Sequence, residues 1–215
     1  VDDRMIIWPD ANANDVEVYR GPNIGAPPEN TELPAVIEAR VTIKVDDKIT
    51  TDHIIPAGAR MKYRSNIPKY AGFVFENVDP HFAENAQKIK ASGKHNVIVA
   101  GLSYGQGSSR EHAAICPMYL GVRAVIAKSF ERIHAANLIN FGILPLIFGD
   151  ERDYDKIEQG DELKIANIRE LIAAGGDLLV ENISKEYSFP VACHLSARQK
   201  RIILAGGALN VRSTK

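Results

Sequence analysis

The chain has 215 residues, of which 45% are hydrophobic and 25% are charged, and its formal net charge is −1. These proportions are typical of a globular protein with one domain, or one domain and an extension. The near-neutral charge argues against nucleic-acid binding, which needs a basic excess or a clustered basic patch.

The N-terminal stretch VDDRMIIWPDAN is acidic and lacks the apolar segment of a signal peptide. The longest apolar run, 141–148, is only strand-sized, so no membrane helix and no membrane partner are predicted. Two cysteines, Cys116 and Cys193, are too few for a secreted disulfide framework. We therefore expect a cytoplasmic protein.

Residues 1–35 are predicted to form a linker-like leader, because RGPNIGAPPENTELP concentrates residues that favour turns. Residues 36–215 are predicted to form the folded domain, with its core in 36–150. AVIEARVTIKV alternates apolar and polar residues like a half-buried strand, and three further short apolar strands then alternate with helices. This order predicts an α/β fold with a mainly parallel sheet of about four to six strands, flanked by helices. A smaller C-terminal β/α extension is expected after residue 150.

A long polar segment, 48–72, has no clear periodicity and is predicted to be a functional or mobile loop. It contains Asp52 and His53, a neighbouring pair that can orient a proton-transfer group or simply anchor the loop. From these residues alone the anchor is favoured, since aspartate and threonine are ordinary loop residues. Arg64 lies in the same segment, and its local sequence predicts only a solvated surface charge.

The strongest motif is YGQGSSREH, 104–112, between a buried strand and a helix. Free backbone amides and the helix dipole make such a turn suitable for an anion, and its glycines let a ligand approach the backbone. Arg110 can grip a carboxylate with two parallel hydrogen bonds. The alternative is a capped helix start, with Ser108 or Ser109 as the N-cap. The glycine spacing matches neither a dinucleotide-binding nor a P-loop motif. Three further residues lie on predicted helical stretches and are interpreted as structural: His112, His134 and Cys116.

These segments together resemble the C-terminal swivel domain of aconitases. The resemblance is carried by YGQGSSREHAA, by LGVRAVIAKSFERIHAANLINFGILPLIF, and by TTDHI and KYRS upstream in the same order. It covers residues 38–150 densely and the tail more loosely. The same signature also occurs in homoaconitase and in the small subunit of 3-isopropylmalate dehydratase. The resemblance therefore implies the family more firmly than the substrate.

The resemblance implies a role for each motif residue. Ser108 is implied as the catalytic base, used as an alkoxide, and Ser109 with Arg110 as the ligands of one substrate carboxylate. Arg64 is implied to bind another carboxylate, although its local pattern does not indicate this. Asp52 and its neighbour His53 are implied to support catalysis from the facing loop.

The resemblance also implies a cofactor and a partner. Aconitases use a [4Fe–4S] cluster as a Lewis acid, held by three cysteines in the preceding domains. This chain has two cysteines and is expected to bind no cluster or other metal alone. Its expected partners are cluster-binding domains, in the same polypeptide or in a large subunit, and a small tricarboxylate. The leader resembles an interdomain linker, which favours the single polypeptide.

Two functions from other classes remain open at this point. Some aconitase relatives bind messenger RNA, and the near-neutral charge of this chain argues against that role here. A stand-alone carboxylate-binding module is the other alternative, which calorimetry with citrate would test. The expected function is the interconversion of citrate and isocitrate through cis-aconitate.

Overall fold

Seven β-strands close into one barrel in the computed structural model, which describes residues 2–9, 17 and 19–211. The strands are β1 (Ile37–Val45), β2 (His95–Ala100), β3 (Val122–Ala127), β4 (Leu144–Phe148), β5 (Glu162–Ile165), β6 (Leu178–Asn182) and β7 (Tyr187–Ala192). Their order around the barrel is β1, β2, β3, β4, β7, β6, β5. The pairs β1–β2, β2–β3 and β3–β4 are parallel. The other four pairs are antiparallel.

The α/β class is confirmed, but the sheet is mixed rather than mainly parallel, and it has more strands than expected. The tail strands do not form a separate extension, because β5 pairs with β1 and β7 pairs with β4. An open sheet would leave the backbone groups of β1 and β4 unpaired on its edges. Pairing both edges with the tail satisfies those groups and closes the barrel.

Alternate residues of the parallel strands enter two different hydrophobic cores. Val97 and Val99 of β2 point into the barrel interior, whereas Ile98 and Ala100 join a second core outside it. Both faces of β2 and β3 are thus buried, which explains why their sequences are continuously apolar. β6 and β7 alternate buried and more exposed positions, because their outer face has no such cover.

Eight α-helices lie in the part of the chain that the structure describes. They are α1 (Thr51–Ile54), α2 (Ile67–Ala71), α3 (Phe82–Ala91), α4 (His112–Tyr119), α5 (Arg132–Asn140), α6 (Asp153–Lys156), α7 (Ile168–Ala174) and α8 (Ala197–Leu204). The segment 48–72 is more regular than expected, since it holds α1, a 3₁₀ helix (Gly58–Tyr63) and α2. Over the described residues, no helix has the length and apolarity needed to cross a bilayer.

The end of the leader packs against the barrel. Arg123 of β3 is 4% exposed, and its guanidinium donates to Asn30 Oδ1 at 3.1 Å and to Thr31 Oγ1 at 2.7 Å. Asn30 Nδ2 donates in turn to the carbonyls of Phe141 and Gly206, both at 2.9 Å. The leader therefore supplies the acceptors of a buried positive charge. The domain boundary at residue 36 stays a prediction.

Replacing Asn30 with alanine is expected to lower the free energy of unfolding by about 2–3 kcal/mol. The variant leaves two carbonyls and one guanidinium hydrogen without their partner. Urea unfolding of the purified chain measures the change. Asn23→Ala, at an exposed leader position, is the matched control and should change stability by less than about 0.5 kcal/mol. Equal losses in both variants would show that the Asn30 contacts contribute nothing.

Candidate active site

Three loops interlock where β1, β2 and β3 end. They comprise residues 46–50, 101–111 and 128–131. The backbone amide of Tyr104 donates to the carbonyl of Ser129 at 3.0 Å, which joins the second loop to the third. Ligands of parallel α/β sheets bind beyond the carboxyl ends of the strands. This edge therefore carries the candidate site.

At Gly105 the 101–111 loop packs tightly against the rest of the domain. The amide of Gly105 donates to the carbonyl of Ile49 at 2.8 Å, and its φ is +89°. A Cβ at this position would overlap the ring of His134 in α5. Only glycine combines this positive φ with this contact. The glycines of the motif were expected to let a ligand approach the backbone, but at Gly105 the group in contact with the backbone is a side chain of the protein itself.

Arg110 and Asp52 form the central ion pair of the site. Arg110 Nη1 lies 2.8 Å from Asp52 Oδ1 and also donates to the carbonyl of Ile55 at 3.1 Å. The hydrogen bond from Arg110 holds the pKa of the Asp52 carboxyl below its usual value, although burial opposes it slightly. The Arg110 side chain is 15% exposed and that of Asp52 is 60% exposed. Two residues 58 positions apart in the sequence are thus brought together, and Arg110, which the resemblance implies as a ligand of a substrate carboxylate, is paired with a carboxylate of the protein itself.

Arg64 is tied to the start of α4 through its backbone. His112 Nε2 lies 2.9 Å from the carbonyl oxygen of Arg64, and the His112 ring packs against Tyr70 with centroids 5.3 Å apart. The Arg64 side chain is exposed. His112, which the sequence analysis treated as structural, therefore positions the loop that carries Arg64. No pattern in the sequence pairs these two residues.

His53 caps α1. Its Nδ1 accepts a hydrogen bond from the backbone amide of Thr50 at 3.1 Å, while Thr50 Oγ1 accepts from the amide of His53 at 3.1 Å. This reciprocal pair is a capping box with histidine in the position usually taken by glutamate. These two hydrogen bonds anchor the loop at the start of α1, which is the role that the local sequence favoured for His53. A catalytic role for His53 stays a prediction.

Ser108 and Ser109 are both exposed, and neither caps α4. That helix begins at His112 with Glu111 as its N-cap residue, so the capping alternative is wrong. The two serines instead line a cleft of about 220 Å³ whose opposite wall is the start of α5. The helix N-terminus on this cleft therefore belongs to α5, and not to the helix that follows the motif.

The far wall of the cleft includes Arg132, His134 and Asn137. No sequence motif indicated Arg132 or Asn137, and His134 was expected to be structural. Their position directly after β3 could have indicated them, because β3 ends at the same sheet edge as β2.

His134 is 2% exposed, and neither of its ring nitrogens has a hydrogen-bond partner. Burial lowers the pKa of its imidazole to about 4, from 6.5 in a solvated histidine. The unfolded chain therefore binds more protons than the folded one between these two values, and stability falls as the pH drops through this window. The ring is neutral at pH 7.

We expect the free energy of unfolding to fall by about 2 kcal/mol between pH 7.5 and pH 5 on account of His134 alone. Other groups add to the fall, among them His95, whose pKa burial also lowers. His134→Leu removes only the contribution of His134. The free energy of unfolding of this variant should therefore fall by about 2 kcal/mol less between the two pH values than that of the unaltered chain. Urea unfolding at both pH values measures the difference. Identical losses in the two proteins would contradict this account of His134.

The two cysteines do not lie in this site. Cys116 is fully buried within α4, where burial raises the pKa of its thiol, and it is a packed residue as expected. Cys193 follows β7, and both thiols are free. Across residues 2–9, 17 and 19–211, no three histidine, cysteine or acidic side chains are grouped to hold a metal ion. The residues that are described do not fit an iron–sulfur cluster, which needs several thiolates.

Comparison with known proteins gives consistent similarities. The sequence profile of the aconitase C-terminal domain matches residues 38–151. A homocitrate dehydratase of Saccharomyces cerevisiae mitochondria is 38% identical over 158 residues, covering 66% of this chain and 20% of that protein. A relative from Emericella nidulans, provisionally named a mitochondrial aconitate hydratase, is 37% identical over 197 residues, covering 81% of this chain and 25% of the relative. This chain thus spans a quarter or less of the length of these relatives.

One solved structure is similar to this chain over nearly the whole length of the solved chain. It is a 3-isopropylmalate dehydratase from Methanocaldococcus jannaschii, with a TM-score of 0.65 and 32% sequence identity. The match covers 81% of this chain and 92% of that one. A polypeptide that consists of little besides this fold therefore exists.

Proposed function

Since the chain belongs to the aconitase C-terminal domain family, we propose that it is the substrate-binding and base-bearing part of an aconitase-type hydro-lyase. Its reaction is the interconversion of citrate and isocitrate through cis-aconitate. The observation that carries the proposal is the contact of Arg110 with Asp52 at 2.8 Å beside two exposed serines. It joins two separate motifs at the sheet edge where a ligand is expected.

Ser108 is the base in this proposal. Dehydration of a hydroxy acid requires removal of a weakly acidic proton next to a carboxylate, which needs a strong and positioned base. An alkoxide at Ser108 needs a positive surrounding. The charge of Arg110 is largely compensated by Asp52, whereas the positive end of α5 lines the same cleft as Ser108.

Arg110, Ser109 and Arg64 bind substrate carboxylates. Asp52 contacts both terminal nitrogens of the Arg110 guanidinium and so restricts the orientations in which Arg110 meets a ligand. The backbone carbonyl of Arg64 contacts His112, which fixes the position of this residue. Its side chain is exposed, so the guanidinium is accessible to a ligand. His53 supports the same loop by capping α1.

A [4Fe–4S] cluster, where the enzyme uses one, is held by another domain or subunit. The reason is that such a cluster needs several thiolates close together, whereas this chain has two cysteines that lie apart. The partner is therefore a cluster-binding polypeptide, joined through the leader or bound as a separate subunit. A cytoplasmic location is part of the proposal, and the two free thiols suit a reducing compartment.

The substrate is tested by assaying the united enzyme with citrate, homocitrate and 3-isopropylmalate. The relatives named for the last two acids make them the relevant competitors. We expect a higher kcat/KM with citrate than with 3-isopropylmalate, because Arg64 offers a charged group where a branched apolar side chain would need apolar contacts. A higher kcat/KM with either competitor would contradict the assignment to citrate. Conversion of none of the three would contradict the hydro-lyase proposal.

A further inference from the structure

The cleft between the 101–111 loop and α5 has the donors of an anion site on its far wall. The first-turn amides of α5 have no acceptors within the helix, and its N-cap residue Glu131 provides no side-chain cap. Arg132, the first helical residue, lines the cleft and is exposed. Its guanidinium takes part in no hydrogen bond or ion pair over the described ranges. The N-terminus of α5 and the Arg132 guanidinium both favour an anionic ligand.

A buried side chain without a partner points independently to a ligand. Asn137, one turn along α5 from the helix start, lines the cleft at 9% exposure, and its side-chain amide takes part in no hydrogen bond among the described residues. Buried polar groups are normally hydrogen-bonded, and an unsatisfied one carries a desolvation cost. His134 also lines the cleft, but its two ring nitrogens are enclosed by the protein and are not open to a ligand. The helix start and the Asn137 amide thus supply donors on two turns of α5.

The cations of the known motif leave room for a further positive charge on this chain. Arg110 already faces the carboxylate of Asp52, so only part of its charge is available to a ligand. Arg64 is a second cation. Arg132 lines the same cleft as the two serines and offers a third, which no carboxylate of the described residues pairs with. A polycarboxylate would be stabilised by this additional charge.

We propose that Arg132, the first turn of α5 and Asn137 form an additional carboxylate-binding subsite, next to Ser108 and Ser109. The inference rests on the proposed function, because it takes the ligand to be a carboxylate of the substrate. Glu131 also lines the cleft, and its negative charge opposes an anion. Arg132 and Glu131 therefore act on ligand affinity in opposite directions.

The subsite is tested by titrating the ¹⁵N-labelled chain with tricarballylate, a tricarboxylate without a hydroxyl group. Amide shifts are expected at 108–109 and at 132–137. Arg132→Gln should weaken binding by about tenfold or more, as loss of a charged hydrogen-bonding partner does. Glu131→Gln should tighten it. Arg198→Gln changes an exposed arginine in the first turn of α8, away from the cleft, and should leave affinity unchanged.

Unchanged affinity in Arg132→Gln, or shifts confined to residues 52–64, would overturn the subsite. So would the absence of any tricarballylate binding to the unaltered chain. The test separates this inference from the proposed function. If the united enzyme turns over citrate but Arg132→Gln binds normally, the subsite fails and the function stands. If Arg132 governs binding but no hydro-lyase activity is found, the function fails and the carboxylate site stands.

Discussion

Replacing Ser108 with alanine in the united enzyme is expected to lower kcat by about 10²–10⁴-fold, the usual contribution of a general base. The KM should change little, because the hydroxyl acts mainly in the transition state. Ser108 is exposed on the loop between β2 and α4, so the substitution removes one oxygen and disturbs no packing. Steady-state kinetics with citrate and with isocitrate measure both parameters.

Two further variants make the Ser108 result specific. Ser92→Ala, at the exposed end of α3, removes a hydroxyl that only caps a helix carbonyl and should leave turnover unchanged. Ser109→Ala should raise KM more than it lowers kcat, as expected of a group that binds the ground state as well. A Ser108→Ala enzyme that retained most of its turnover would show that another group is the base.

Gly105→Ala is expected to lower the free energy of unfolding by about 3 kcal/mol or more, from a strained positive φ and an overlap with His134. The loop can relieve the overlap only by moving away from α5, which displaces Ser108 and Ser109. A displacement of about 1 Å costs roughly 10²-fold in turnover. The purified chain gives the stability, and the united enzyme gives kcat.

Gly93→Ala separates the two causes. Gly93 has a φ of +85°, close to that of Gly105, but nothing lies within 4 Å of the position of its Cβ. It should lose only about 1 kcal/mol and keep full turnover. If Gly105→Ala behaved like Gly93→Ala in both measurements, the contact with His134 would have no role in positioning the loop.

The individual strands could be predicted from the sequence, but their closure could not. Each strand has a local signature, such as the alternation in β1 or the apolar runs of β2 and β3. Closure depends on pairings between distant segments, such as Ile37 with Ile165. No local pattern encodes those pairings, because the same alternating strand suits an open extension or a barrel.

The candidate site was predictable where one motif carries several functional groups. The motif located Ser108, Ser109 and Arg110, and the resemblance added Asp52 and Arg64. The alternative that made Ser108 or Ser109 the N-cap of α4 was wrong, although serine is a common N-cap, because the helix begins at His112. The wall formed by α5 was missed because its residues face the cleft only after β2 and β3 pair side by side.

The most direct test of the central claim compares the purified chain with the chain united with a cluster-binding aconitase polypeptide. The chain alone should unfold cooperatively, since its barrel and outer layer each have a continuous core. It should be colourless and should convert neither citrate nor isocitrate to cis-aconitate. The united enzyme should convert both, and Ser108→Ala should abolish nearly all of that conversion. Turnover by the 215-residue chain alone, accompanied by bound iron, would contradict the account.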